Sequence, residues 1–171
     1  MFTKFYPTDY VESSYSVDYR KLYDNGVRGL IFDIDNTLVR HGEPADGRAV
    51  ELFKKLHGMG FATCLISNNK EPRVKPFADS VGSVYVFDAH KPSRTNYIKA
   101  MELMGTDTEN TCFIGDQLFT DVYGANRTGI PSILVKPIHP KEEIQIVLKR
   151  KVEKIVLFFY RRYRKKHGCQ D

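Results

Sequence analysis

At 171 residues the chain has room for one domain with a buried core, not comfortably for two. A hydrophobic share of 42% and a charged share of 27% exclude a disordered chain, and the longest wholly apolar run, Ile155 to Tyr160, excludes a transmembrane helix. The net charge of +5 is uneven: residues 149–171 hold nine Lys/Arg against two Asp/Glu, a balance of +7, and residues 1–148 hold seventeen against nineteen, a balance of −2, so any polyanionic partner belongs to the C-terminal segment.

In chain order, Met1 to Tyr10 lacks the apolar core of a signal peptide, so an intracellular protein is expected. Leu30 to Phe32 reads as a strand. Gly47 to Leu56 reads as a helix, with Val50, Phe53 and Leu56 at helical spacing. A strand at Phe61 to Ile66, a short helix at Arg73 to Asp79 and a strand at Val84 to Phe87 follow. Thr95 to Met104 is a helix carrying Ile98, Met101 and Leu103; Thr111 to Ile114 is a strand. Asp121 to Thr128 is a helix stopped by Gly129, and Ser132 to Val135 is the last strand. The strands are near-continuous apolar runs, as parallel strands covered on both faces should be. Strand–helix alternation predicts an α/β fold, a Rossmann-like parallel sheet with helices on both faces. Cys64 and Cys112 fall inside strands, where a thiol behaves as a small hydrophobe; with Cys169 the count is odd and no C-x-x-C pair occurs, so no disulfide framework or zinc site is indicated.

Three strands end in a polar residue that packing does not require: Phe32 runs into Asp33, Ile66 into Ser67, and Ile114 through Gly115 into Asp116. In open α/β sheets the carboxyl ends of the strands line the ligand crevice, so these residues should share one edge. Asp35 stands two residues beyond Asp33, and Asp121 closes the run Gly-Asp-Gln-Leu-Phe-Thr-Asp. Up to four carboxylates would converge, and like charges that close disfavour joint ionisation. A divalent cation with oxygen ligands resolves the conflict, Mg²⁺ being the usual partner of phosphate substrates, and Lys91 after the third strand would help. Taken singly, each residue has a plainer role: Asp33 and Asp35 in a turn, Asp116 or Ser67 as a helix cap, Asp121 and Lys91 on the surface.

Taken together, in order, Asp-Ile-Asp-Asn-Thr-Leu, Ser-Asn-Asn-Lys, Lys-Pro and Gly-Asp-Gln-Leu-Phe-Thr-Asp-Val resemble the four motifs of the haloacid dehalogenase superfamily, and within it the YqeG-type phosphatases, a branch similar to the mitochondrial phosphatidylglycerophosphate phosphatases. The resemblance covers roughly residues 5 to 140. It implies that Asp33 attacks phosphorus and Asp35 serves as general acid and then general base. It implies Mg²⁺ held by the Asp33 side chain, the Asp35 carbonyl and Asp116, with Asp121 bound through water or steadying Lys91. Ser67 and Lys91 would hold the phosphoryl oxygens.

Only 31 residues separate Asp35 from Ser67 and 23 separate Ser67 from Lys91. Each gap is filled by one helix and one strand, so a folded cap of about 50 residues or more does not fit. The expectation is a capless phosphatase domain over residues 1–140 and a basic amphipathic C-terminal helix and tail over 141–171. An open site suits a bulky phosphomonoester, and with the family resemblance it points to a phospholipid headgroup, phosphatidylglycerophosphate. In the tail, Ile144, Leu148, Val152, Ile155, Val156, Phe159 and Tyr163 form a helical stripe amid the basic residues. The stripe suits an anionic membrane surface, which would make the protein cytoplasmic and peripheral on the inner membrane face, or else it packs on the core. Soluble sugar or nucleotide phosphates, phosphoproteins or nucleic-acid ends are alternative substrates, and an RNA- or membrane-binding protein with a vestigial site is an alternative of another class.

Overall fold

The computed structural model describes residues 2–139 and 144–166, with side chains in the last helix described from residue 149 onward. Its centre is a six-stranded sheet, wholly parallel, in the order β1-β6-β5-β2-β3-β4. The strands are β1 (Asp9–Val11), β2 (Gly29–Phe32), β3 (Ala62–Ile66), β4 (Val84–Val86), β5 (Thr111–Gly115) and β6 (Ser132–Val135). The helices are α1 (Tyr19–Asp24), α2 (Gly47–Gly58), α3 (Glu71–Val81), α4 (Arg94–Met104), α5 (Tyr123–Thr128) and α6 (Ile144–Lys166). The chain is a Rossmann-like α/β domain with no cap inserted.

Alternation along β2 and β5 explains the unbroken apolar runs. Leu30, Phe32, Cys112 and Ile114 join one core with Phe53 and Leu56 of α2 and Val74 and Phe77 of α3. Ile31, Phe113, Cys64 and Ile66 join the other with Tyr97, Ala100 and Met101 of α4 and Ala125 of α5. Each fully buried side chain of this size contributes about 1.5–3 kcal/mol. A smaller cluster, Leu118, Val122, Leu134 and Val156, receives α6. Among the described residues no helix is long and apolar enough to cross a membrane.

Several expectations are corrected. Strand β1, at the sheet edge beside β6, and helix α1 have no counterpart in the sequence reading. Both are short, and β1 is half-buried, so neither shows a clear hydrophobic period. Helix α3 is longer than expected, running through Pro72 in its first turn and Pro76 inside. Val50, Ile98 and Leu103 are exposed; Ala49 and Leu52 join Phe53 and Leu56 inward on α2, and α4 presents Tyr97, Ala100 and Met101. Of the two placements expected for the tail stripe, the described part follows the outward one except at Val156. Glu153, Val156 and Tyr160 are buried, while Val152, Ile155, Phe159 and Tyr163 face out; the side chains of Ile144 and Leu148 lie outside the described set.

Helix α5 lies close against α4. Gly124 sits against the Tyr97 ring, which a Cβ at that position would overlap. Tyr97 is fully buried and its Oη donates to the Thr120 carbonyl at 2.9 Å. Gly124→Ala must therefore push Tyr97 aside, and overpacking of this kind costs about 1–3 kcal/mol. Urea unfolding should show that loss at unchanged m; no loss would mean that the ring moves freely.

Candidate active site

Strand β2 is central, and the connections lead away from it to β3 and β4 on one side and to β5 and β6 on the other. The crevice at such a switch point lies over the carboxyl ends of β2 and its neighbours. Asp33 follows β2, its N–H bonded to the Ile114 carbonyl of β5 at 3.0 Å. Ser67 follows β3, its N–H bonded to the Val86 carbonyl of β4 at 3.1 Å. Asp116 follows β5. The chain then makes a π-turn over Leu118–Val122, in which Val122 N–H reaches the Gln117 carbonyl five residues back, and this turn carries Asp121 inward. Gly115 is needed at the junction, since a Cβ there would collide with the Asp121 carboxylate.

Carboxylate oxygens of Asp33, Asp116 and Asp121, all buried, lie within 4.8 Å of one another. Lys91 Nζ stands between two of them, 2.5 Å from Asp33 Oδ1 and 2.7 Å from Asp121 Oδ1. Thr37 Oγ1 is 3.3 Å from both Asp33 Oδ2 and Asp116 Oδ1. Gln117 N–H donates to Asp121 Oδ2 at 3.1 Å. On the far side, the Arg150 guanidinium of α6 meets Asp116 Oδ2 at 2.5 Å.

Asp35 takes a separate place. Asn36 turns the chain with φ 62°, a left-handed conformation that asparagine tolerates, and the Asp35 carboxylate is directed away from the other three. It accepts from Gly42 N–H at 2.8 Å, Asn69 Nδ2 at 2.7 Å and Arg73 Nη2 at 2.9 Å. Asp33, Asp35, Ser67 and Lys91 line one cavity of about 180 Å³, with Asn69, Gln117 and Thr120 at its rim. Asp116 and Asp121 do not line it but lie within reach of Asp33 and Lys91, which do. Of the flanking histidines, His41 borders the cavity and is mostly exposed, and His90 is exposed.

Burial raises the Asp33 carboxyl to about 6, with the Asp121 charge adding and the Lys91 ammonium opposing. Burial, Asp33 and Asp121 likewise push Asp116 well upward against the pull of Arg150. For Lys91 burial works against the charge, yet Asp121 and Asp33 outweigh it and the ammonium is held charged. Three carboxylates thus face two fixed cations, Lys91 and Arg150. Glu153 also shares Arg150, so carboxylates outnumber cations here, and the hard oxygen donors fit a divalent cation.

The six residues expected at the site, Asp33, Asp35, Ser67, Lys91, Asp116 and Asp121, lie together at one sheet edge. Four further contributors were not foreseen: Thr37, Arg73, Arg150 and Glu153. Thr37 stands within the first motif and its polarity at a buried turn is a usable signal. Arg73, Arg150 and Glu153 act across the fold and carry no local signature.

The HAD-hydrolase-like family model matches residues 89–144, the stretch from the Lys91 loop through Asp116 and Asp121. Over 159 residues the chain is 36% identical to the Bacillus subtilis (strain 168) protein "Probable phosphatase YqeG", covering 92% of each. The chain belongs to the YqeG-type phosphatases of the haloacid dehalogenase superfamily. A more distant relative of this YqeG-type chain is "Phosphatidylglycerophosphate phosphatase 1, chloroplastic/mitochondrial" of Arabidopsis thaliana, 26% identical over 161 residues, 88% of this chain and 45% of that one. Among solved structures, the cobalt-bound deoxy-D-mannose-octulosonate 8-phosphate phosphatase YrbI of Haemophilus influenzae shares the fold, with a TM-score of 0.52 at 17% identity over 68% of this chain and 81% of that one. The YqeG-type chain is accordingly a phosphatase, and its buried acidic trio suits the divalent metal on which this superfamily relies.

A cation at the trio competes with protons for Asp33 and Asp116. Both groups bind protons more tightly in the fold than in an unfolded chain. Without metal, the Asp33 contribution is fully present below about pH 4 and is lost as pH rises through about 6, and that of Asp116 has the same sense. Metal binding has the opposite sense. Apparent Mg²⁺ affinity, read from the metal-induced rise in Tm, should fall by about tenfold per pH unit below about pH 6. Equal affinity at pH 7.5 and pH 5 would place the cation on other groups.

Proposed function

We propose that this chain hydrolyses phosphomonoesters by way of an aspartyl-phosphate on Asp33, with Mg²⁺, and that its substrate is the membrane lipid phosphatidylglycerophosphate. The observation that carries the reaction is the meeting of Asp33, Lys91, Asp116 and Asp121 at a cavity that Asp35 and Ser67 also border. Asp33 Oδ2 lies opposite the oxygen that Lys91 holds, and a carboxylate oxygen of Asp33 attacks phosphorus as the bond to the leaving alkoxide breaks. Asp35, fixed by Arg73 and Asn69, gives the alkoxide a proton. It then takes a proton from water, which attacks phosphorus, frees the Asp33 carboxylate and releases inorganic phosphate. Ser67 Oγ accepts from Asn69, so its own proton serves a phosphoryl oxygen, and the Lys91 charge serves another. Asp33, the Asp35 carbonyl and Asp116 would hold the cation, which supplies positive charge against the phosphoryl oxygens. Asp121 steadies Lys91.

Three features support a lipid headgroup. No cap covers the cavity, so a substrate rooted in a bilayer can reach it. A neighbouring cavity shares Asn36 and His41 with the catalytic one and is also bordered by Arg40, Glu43 and His139; the Arg40 guanidinium suits the second phosphate ester of such a headgroup. Helix α6 presents exposed Val152, Ile155, Phe158 and Phe159 beside Lys149, Lys151, Lys154, Arg161, Arg162 and Lys165. Basic residues at an anionic leaflet contribute about 1 kcal/mol each. On this reading residues 1–140 form the catalytic unit, and the segment from 141 onward seats it on the membrane.

Phosphate release from anionic liposomes containing phosphatidylglycerophosphate should require Mg²⁺ and vanish in Asp33→Asn. Arg40→Ala should lower kcat/KM for the lipid by about tenfold, the worth of one charge-assisted contact, and leave para-nitrophenyl phosphate hydrolysis within twofold. Turnover of the small ester alone would keep the phosphatase and discard the lipid.

A further inference from the structure

The least expected contact in the molecule joins the catalytic edge to the C-terminal helix. Arg150 Nη2 donates to Asp116 Oδ2 at 2.5 Å and Nη1 donates to the Asp116 backbone carbonyl at 2.6 Å. Nη1 also meets Glu153 Oε2 at 3.0 Å, one helical turn on. Glu153 Oε1 in turn accepts from Leu118 N–H at 3.0 Å. The two side chains thus grip the loop after β5 at three points: the Asp116 carboxylate, the Asp116 carbonyl and the Leu118 amide. Both are largely withdrawn from water, Arg150 at 18% side-chain exposure and Glu153 at 9%. Val156 and Tyr160, buried on the same face of α6, anchor the helix, Val156 against Leu118, Val122 and Leu134.

We infer that Arg150, backed by Glu153, is a positioning residue that sets the Asp116 carboxylate for the divalent cation. This rests on the assignment of Asp116 as a metal ligand made above. A carboxylate on a short side chain can turn about its last bond and present either oxygen. Asp116 Oδ1 faces Thr37 and, through it, Asp33; Oδ2 is taken by the guanidinium. The planar fork of arginine spans carboxylate and carbonyl of one residue at once, which fixes both the torsion and the loop behind it. An ammonium could neutralise Asp116 but could not hold both oxygens in one plane. The cation side of the site is therefore completed by a helix outside the region in which the four motifs occur.

The test uses full-length protein. Mg²⁺ binding is measured by calorimetry and by the metal-induced rise in Tm for wild type, Arg150→Met, Arg150→Lys and Glu153→Gln, and the Mg²⁺ activation constant is separated from kcat and KM with para-nitrophenyl phosphate. Loss of a group that orients a metal ligand weakens metal affinity by roughly 10–100-fold, and this is expected for Arg150→Met. Arg150→Lys should recover only part of the loss, Glu153→Gln should fall between, and KM for the ester at saturating Mg²⁺ should stay unchanged. Wild-type affinity in both Arg150 variants overturns the inference, and so does tighter binding, which would show that the guanidinium competes with the cation. Should Arg150→Met not fold, judged by its metal-free Tm, Arg150→Lys decides by the same criterion. Absence of Mg²⁺ binding in wild type overturns the metal assignment itself, whereas wild-type binding with unaffected variants overturns this inference alone.

Discussion

Three buried carboxylates within 4.8 Å set the terms for the rest of this molecule. Ionised, they repel one another in a medium that screens poorly; protonated, they bind no metal. The fold answers with two fixed cations placed on opposite sides. Lys91 arrives on the loop after β4 and bridges Asp33 to Asp121. Arg150 arrives on α6 and takes the outer oxygen of Asp116. The carboxylate oxygens that remain suit a divalent cation, and the burial of all three residues limits screening by water.

Such a cluster tolerates little play, and the scaffold around it is correspondingly tight. Asp33 and Asp116 leave neighbouring strands held in register, Phe32 opposite Ile114. Gly115 makes room for the Asp121 carboxylate, and Gly124 makes room for the Tyr97 ring whose hydroxyl ties down the π-turn. The loops after β3 and β4 are stitched together, Asn68 accepting from Lys91 N–H and Ser67 O accepting from Ala89 N–H, so that Ser67 and Lys91 line one cavity. Asp35 has its own partners, Gly42 N–H, Asn69 and Arg73, which fits the acid–base role proposed for it.

Helix α6 has two unlike faces. Inward it supplies Arg150, Glu153, Val156 and Tyr160 to the loop after β5 and the core beside it. Outward it shows apolar and aromatic side chains among basic ones. Its amphipathic stripe was visible in the sequence and mostly faces out, whereas the inward ionic contacts of this helix were not visible, because a hydrophobic period does not register them.

The strand ends were legible because chemistry breaks a pattern there: Asp33, Ser67 and Asp116 interrupt apolar runs that packing alone would have continued. The α/β class, the absence of a cap and the convergence on one sheet edge follow from that alternation and from the short gaps between motifs. Strand β1 and helix α1 were not legible, being too short for any period to emerge. The contributions of Arg73 to Asp35, and of Arg150 and Glu153 to Asp116 and Leu118, span 38 and 34 to 35 residues along the chain and leave no local trace. Sequence by itself determined which polar groups stand at the strand ends and which strands deliver them, since both are written in local order. Only the tertiary structure decided how their charges are balanced, because the balance depends on which distant side chains are brought within hydrogen-bonding reach of a buried carboxylate.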